Sequence, residues 1–427
     1  MIQQTVLPFK LEITRDTITS HAGLALLGEF CMALKLPELV DRYLPEPGSG
    51  AGYQPSEYIF PLVLMLNGGG RNLEDLRVIR DDTGLREILP FGRVPSSDAD
   101  GDWFRRIGES FGLCGLEKTN QRLIKRGMKY DGIKDYTLDI DATGIEAEKA
   151  SARMTYKGFK GYMPMVGHLA ENGLVLADEF REGNEAAAAR NLEFLKHCIG
   201  QMPKGKKIGA FRADSAAYQA DLINYCSRKG IKFAIGADLD EAVVRAIKAI
   251  GDSDWSAHRE GQIAETVHCM NRTEESFRII VLRRPYQKGL FGNDNEAVRY
   301  TAIATNKEET AAAVLHWYNQ RGEASENRIK DLKIGFGMER MPCGQTVANA
   351  VFFRIGAMAY NIYRLFLLKT LDVGWHRHQV QTVRRWRLYQ TAGKIVDHSN
   401  RVYLKVRRGL YSLFAKIRLR IWEFANT

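Results

Sequence analysis

The sequence predicts a mixed α+β protein, with a helical N-terminal part, a central region of strand texture and a basic helical tail. Three observations carry this. Apolar residues recur at helical spacing before residue 130; period-two alternation sets in at Tyr136 and returns between Gln262 and Ile303; and positive charge gathers after His376. At 427 residues the chain is long enough to bury a sizeable core, and its length fits two or three domains.

Residues 1–130 form the first expected domain. Leu24, Leu26, Leu27, Phe30 and Leu34 lie on a helical repeat that the Pro/Gly/Ser cluster of 45–52 breaks. A second helical run, Pro55 to Leu66, stops at Gly68-Gly69-Gly70. Shorter helices are expected at Leu73 to Arg80 and at Asp100 to Phe111, the latter behind the capping residues Ser96, Ser97 and Asp98. A helix-turn-helix is one reading of this region and a packing domain the other.

The second expected domain spans 131–370. Tyr136 to Thr143 alternates like a strand, and Tyr162 to Leu169 and Leu174 to Phe180 can pair with it around an Asn172-Gly173 turn. A helix over Glu185 to Ile199, a strand over Lys207 to Ala213, a helix over Ala216 to Lys229 and a strand over Ile231 to Gly236 follow. Three antiparallel strands followed by alternating helix and strand give the element order of a ribonuclease H-like core. Residues 238–305 read as a β-rich insertion, with strands at Gln262 to Cys269, Phe277 to Arg283 and Val298 to Ile303 and a polar turn at 291–294. Helical texture returns in Glu308 to Gln320, Glu323 to Leu332 and Val347 to Leu368, and the basic tail, 371–427, is expected to be helical too.

Net charge is +10. Between His376 and Arg420 twelve Lys or Arg residues, including Arg384, Arg385, Arg387, Arg407 and Arg408, face the single acid Asp397, so this segment carries the whole excess. Interleaved Trp386, Tyr389, Tyr403 and Tyr411 favour a polyanionic partner over a merely solvated face. The six cysteines have no CxxC or CxH spacing, which argues against a zinc site and a disulfide framework. No signal sequence is read in the first twenty residues, and apolar runs such as Ile59 to Leu66 are shorter than a bilayer span. A soluble cytoplasmic protein is expected.

Two aspartates stand two apart on the first strand, Asp139 and Asp141, so both point to one face of the sheet. That crowding is costly unless a cation or solvent compensates. Asp214 follows the strand Lys207 to Ala213 and can lean toward the same place, although an Asp before Ser215 serves equally well as a helix cap. Phosphodiester chemistry can run on two divalent ions about 4 Å apart, held by such hard oxygen donors. A third carboxylate stands in Tyr318-Asn-Gln-Arg321-Gly-Glu-Ala-Ser-Glu326-Asn-Arg-Ile-Lys-Asp-Leu-Lys333. On a regular helix Tyr318, Arg321, Glu326 and Lys333 share an arc of about 140°, which would set one acid and two cations on one face. A salt-bridged surface helix, with Glu326 paired to Lys330, is the competing reading.

As a set these residues resemble the DDE transposases of the IS4-like superfamily, most closely the IS1380 family. The matching pieces are Leu138-Asp-Ile-Asp141-Ala-Thr143, Arg212-Ala-Asp214-Ser215, the Tyr318/Arg321/Glu326/Lys333 signature and the helix from Asn349 to Ala359-Tyr360-Asn361, with Gly68-Gly69 and Leu73-Glu-Asp-Leu76 upstream. The first Asp of the family is followed by a small residue and Thr, which selects Asp141, with Asp139 the runner-up. One departure is visible: the family places its Glu four residues after the Arg, where this chain has Ser325. A one-residue insertion near Gly322 would reconcile the two patterns.

The resemblance implies a transposase that cleaves DNA at the ends of an insertion sequence and joins the freed 3′ ends to a target. It implies that Asp141, Asp214 and Glu326 hold two Mg²⁺ or Mn²⁺ ions and that Tyr318, Arg321 and Lys333 hold the phosphates. Arg384, Arg385, Arg387, Arg407 and Arg408 of the tail, and the N-terminal domain, would then bind double-stranded DNA at the terminal inverted repeats and target, with a homodimer pairing the ends near the nucleoid. Some relatives stack an extruded base on an aromatic of the insertion; Trp255 is the candidate here, against simple packing. The alternatives are a catalytically silent, domesticated DNA-binding protein and another ribonuclease H-like nuclease.

Overall fold

The computed structural model describes residues 11–285 and 298–427, apart from the side chains of 323–325. The turn expected at 291–294 lies outside the described residues.

Five main helices precede the strands: α1 (Ala22–Ala33), α2 (Leu36–Tyr43), α3 (Pro55–Gly68), α4 (Ser97–Gly108) and α5 (Gly112–Gly127). The Gln54 and Glu57 side chains form a reciprocal cap at the start of α3, and Ser96 accepts the Ala99 N–H at the start of α4. Helix α2 was not expected as a separate element. It leaves α1 through a single left-handed residue, Lys35 (φ 59°), with no Gly or Pro to mark the break.

These helices gather around a 25-residue helix, Thr346–Thr370, buried along most of its length. Among the described residues it is the one helix long and apolar enough to cross a membrane, but 83% of its apolar window is buried inside the protein. The expectation of uniformly short apolar runs is corrected here: Arg354, Asn361 and Arg364 interrupt the run in sequence, and the fold pairs each of them. Arg354 donates to the Asp178 carboxylate at 3.1 and 3.2 Å, and Arg364 to the carbonyls of Asn172 and His376. Asn361 accepts the Val175 N–H at 2.8 Å and donates to the Val175 carbonyl at 2.7 Å, acting as a substitute neighbour for a sheet-edge strand.

The sheet has nine strands. In chain order they are β1 (Asp135–Ala142), β2 (Met165–Leu169), β3 (Val175–Glu179), β4 (Lys207–Ala213), β5 (Lys232–Gly236), β6 (Ser256–His258), β7 (Gly261–His268), β8 (Phe277–Pro285) and β9 (Val298–Thr305). Their order across the sheet is β6-β7-β8-β9-β5-β4-β1-β2-β3. Strands β1, β2 and β3 are antiparallel neighbours, and β4 and β5 run parallel to β1. The expected Asn172-Gly173 turn joins β2 to β3, with Gly173 at φ +77°, where a Cβ would be strained. Helices α6 (Asn191–Gln201) and α7 (Ala220–Lys229) link β3 to β4 and β4 to β5.

The region 238–305 contains the expected strands and also a helix, α8 (Glu241–Lys248). Its strands do not form a sheet of their own: β9 pairs with β5 from Ile303 opposite Gly236 to Thr305 opposite Ala234, so they extend the central sheet. Two helices follow, α9 (Ala311–Lys330) and α10, the long helix already described.

The tail departs from the helical expectation. Gly393–His398 and Arg401–Lys405 form a hairpin that adds Thr17–Thr19 as a third strand, and only Arg408–Ala425, helix α11, is a long helix. Helix α11 packs on α1 and α10, with the Phe424 and Phe30 rings 5.3 Å apart, so the first and last long helices share one core.

Asp100 in α4 is fully buried, and burial pushes its carboxyl up to about 8. An unfolded chain releases that proton near 3.8, so the folded state binds more protons between about pH 4 and pH 8. Stability should therefore fall as pH rises through that window. Asp100→Asn is expected to stabilise the protein at pH 8.5 by about 1–3 kcal/mol and to flatten the pH dependence, read by thermal melts at pH 5 and 8.5. Parallel curves for the two proteins would contradict this.

Candidate active site

In β1 and β4, which run parallel, Asp139 stands opposite Arg212, so Asp141 and Asp214 emerge at the carboxyl ends of neighbouring strands. The two β1 aspartates have different fates. Asp139 is 1% exposed and receives both Nε and Nη2 of Arg212, at 2.7 and 2.8 Å. Arg212 also donates to the Trp317 carbonyl at 2.5 Å and lies over the Trp317 ring, tying the sheet to α9. Asp139, the runner-up ligand, thus lies inside a buried ion pair.

Asp141 faces a cleft of about 600 Å³, lined also by Thr143, Arg321, Glu326, Lys333 and Glu339. Burial pushes its carboxyl up to about 6; Arg321, with Nη2 at 3.7 Å, pulls it back, and the charge of Asp214 adds to the rise. Asp214 is exposed and accepts the Ala216 N–H at 3.1 Å, so it also serves as the cap expected from its place before Ser215. Glu326 is exposed on the α9 wall of the same cleft. Among the described residues no three acidic, His or Cys side chains stand close enough together to hold a metal ion. The donor chemistry nevertheless fits a hard divalent cation: carboxylate oxygens only, with a half-buried Asp141 whose ionised form a nearby positive charge would favour.

Helix α9 is continuous through Gly322, so the two helical runs expected on either side of it are one helix, with an irregularity only downstream. There Asp331–Gly335 widens into a π turn that carries Lys333 onto the cleft wall. Lys333 donates to the Gly144 carbonyl at 2.6 Å, and burial draws its ammonium below the usual range. Arg321 donates to the Ile140 carbonyl at 3.2 Å. The Tyr318 hydroxyl comes down over the ends of β4 and β5, where a Cβ on Gly236 would stand 3.0 Å from it; burial raises its phenol above the usual range. Arg321, Glu326 and Lys333 therefore line the cleft together, and Tyr318 stands beside it at Gly236.

Two residues were missed from sequence. Arg212 was quoted only as a neighbour of Asp214, and its role follows from the register of two strands far apart in the chain. Lys157 is an exposed lysine whose charge reaches both Asp141 and Lys333, and it sits in a loop that gave no periodic signal.

The tail cations divide. Arg384, expected to bind DNA, is buried and donates to the carbonyls of Leu66, Asn67 and Gly335 at 2.9–3.0 Å, so it braces the core instead. Arg385, Arg387, Arg407 and Arg408 are exposed. Trp255 is packed against Tyr300, with the Arg283 guanidinium 4.1 Å from its ring centre, as simple packing predicts.

The sheet thus brings two aspartates to adjacent strand ends, and Asp141 opens on a cleft lined by Arg321 and Glu326 of α9 and by Lys333 of the π turn that follows it. The family model described as transposase DDE domain group 1 matches residues 7–419, and the chain belongs to that family. No curated protein matches the sequence. Among solved structures the chain is similar to the piggyBac transposase in a cryo-EM synaptic complex with hairpin DNA, at 10% identity, covering 96% of this chain and 83% of that chain, with a TM-score of 0.47.

Proposed function

We propose that this DDE transposase cleaves DNA at the ends of an insertion sequence and joins them to a target, with Asp141, Asp214 and Glu326 as its acidic triad. The observation that carries the reading is the closeness of Asp141 and Asp214 at neighbouring parallel strand ends, with Asp141 in a cleft that Arg321, Glu326 and Lys333 also line. The strand order β3-β2-β1-β4-β5 supports assignment of the core to the ribonuclease H-like class, and the quoted motifs support placement near the IS1380 branch of the IS4-like superfamily.

Asp141, Asp214 and Glu326 would hold Mg²⁺ or Mn²⁺, and two such ions supply activation of an attacking oxygen and stabilisation of a leaving one. Bringing Glu326 to the aspartates is the rearrangement this reading requires. Arg321 and Lys333 neutralise phosphate charge at the cleft, and their bonds to the Ile140 and Gly144 carbonyls fix where that charge sits. Tyr318 closes the side of the cleft over Asp214 and orients the strand that enters. Double-stranded DNA is the partner, at the terminal repeats and the target, with a homodimer pairing two ends; helices α1–α5 and the exposed tail cations provide further contact surface.

The separation of Glu326 from the aspartates favours a second reading, a catalytically silent DNA-binding protein. A labelled duplex carrying the DNA that flanks the gene decides between them. Nicking that needs Mg²⁺ or Mn²⁺, stops with EDTA and is lost in Asp141→Ala, Asp214→Ala and Glu326→Ala is expected. DNA binding without nicking by the wild type would leave the silent reading.

A further inference from the structure

The tail holds a second cleft, of about 380 Å³, between the π turn Val383–Arg387 and the start of α11. Arg385, Trp386, Arg387 and Arg407 line it, and Trp386 is 80% exposed. A tryptophan in water at the tip of a short turn contributes little to the core, so its exposure calls for another account.

The cations of the tail sort themselves. Lys394 pairs with Asp16, Arg418 with Glu29, and Lys416 and Arg420 with Asp372. Among the described residues, Arg377, Arg385, Arg387, Arg401, Lys405, Arg407 and Arg408 form no ion pair with an acid, and of these Arg385, Arg387 and Arg407 line one cleft with Trp386. Unneutralised guanidinium groups around an exposed indole complement a phosphate backbone with a base available for stacking.

The turn is also fixed in place. Arg384 beneath it donates to the carbonyls of Leu66, Asn67 and Gly335, and the Asp331 carboxylate accepts the Val380 N–H at 3.2 Å. Asp331 and Gly335 bound the π turn that carries Lys333 on the wall of the active-site cleft. A chain of hydrogen bonds therefore joins the two clefts.

We propose that the Trp386 cleft is a second DNA-binding site, in which Arg385, Arg387 and Arg407 grip phosphates while Trp386 stacks on an unpaired base. The proposal rests on DNA being the substrate. The hydrogen bonds between the two clefts would let one DNA molecule engage both.

The test is fluorescence anisotropy with full-length protein and three labelled DNAs: a blunt duplex, the same duplex with a three-nucleotide single-stranded end, and the single strand alone, each titrated over 50–300 mM NaCl. Wild type should prefer the duplex with the unpaired end, and Trp386→Ala should abolish that preference, a loss on the order of tenfold, with the salt slope unchanged. Arg385→Ala and Arg387→Ala should each lower the slope of log affinity against log salt by about 1 and keep the preference. Because these side chains are exposed, the variants should melt with the wild type. If wild type binds none of the DNAs, the transposase reading fails and this proposal with it. If wild type binds but the three variants match it in affinity, preference and slope, this proposal alone falls. Tighter binding to an RNA of the same sequence as the single strand would overturn the assignment to DNA.

Discussion

Asp141→Asn should reduce strand cleavage by at least about 10³-fold while making the metal-free protein more stable. The activity loss follows from removing one charged donor of a cation site whose effect on the transition state is worth several kcal/mol. The stability gain follows from burial. The Asp141 carboxyl is pushed up to about 6, so the folded state retains its proton where the unfolded chain, near 3.8, has released it. Stability therefore declines as pH rises from about 4 to about 6, and the penalty is fully present above 6. Asparagine lifts it, by an amount on the order of 1–3 kcal/mol at pH 7.5. Adding Mg²⁺ should reverse the ranking, raising the melting temperature of the wild type and leaving Asp141→Asn unmoved. Thermal melts with and without Mg²⁺, beside the cleavage assay, check both halves. A variant less stable than wild type without metal, or one that still cleaves, would contradict the account.

Asp139→Ala should have the opposite profile, with a large loss of stability. Removing Asp139 leaves the 2% exposed Arg212 charge without its carboxylate, and breaking a buried pair from one side costs about 3–5 kcal/mol. Replacing both partners with apolar residues, Asp139→Leu with Arg212→Met, should recover much of that loss. Urea unfolding of the single and double variants measures the difference. A second consequence lies in α9: Arg212 holds the Trp317 carbonyl, so any protein that still folds should cleave slowly because Tyr318, Arg321 and Glu326 are less well placed. If Asp139→Ala unfolds like wild type yet no longer responds to metal, the roles of the two aspartates are exchanged.

Local chemistry made much of this architecture readable. Asn172-Gly173 announced its turn because few residues adopt positive φ without strain, and β1, β4, β5, β7, β8 and β9 lie close to where alternation placed them. Information that depends on pairing between distant segments was hidden. Alternation assigns residues to faces and does not reveal that β9 continues the sheet at β5, or that Arg212 stands beside Asp139. Periodicity at 100° per residue also fails at a π turn, so the Lys333 direction came from the fold. Composition made all the tail arginines look alike, although three carbonyls enclose Arg384 and none of the charge count distinguishes it from Arg385. The tail hairpin did leave a trace: Ser399 and Asn400, both at positive φ, stand between two alternating segments, but the charge run masked them as helix.

The central claim is that Asp141, Asp214 and Glu326 act as one divalent-cation site. Electron paramagnetic resonance of Mn²⁺, titrated into the full-length protein with its end duplex present, tests it most directly. Saturable Mn²⁺ binding by the wild type, lost in each of Asp141→Asn, Asp214→Asn and Glu326→Gln but retained in Trp386→Ala, is the predicted result. Undiminished Mn²⁺ binding in any one of the three acid variants would contradict the claim.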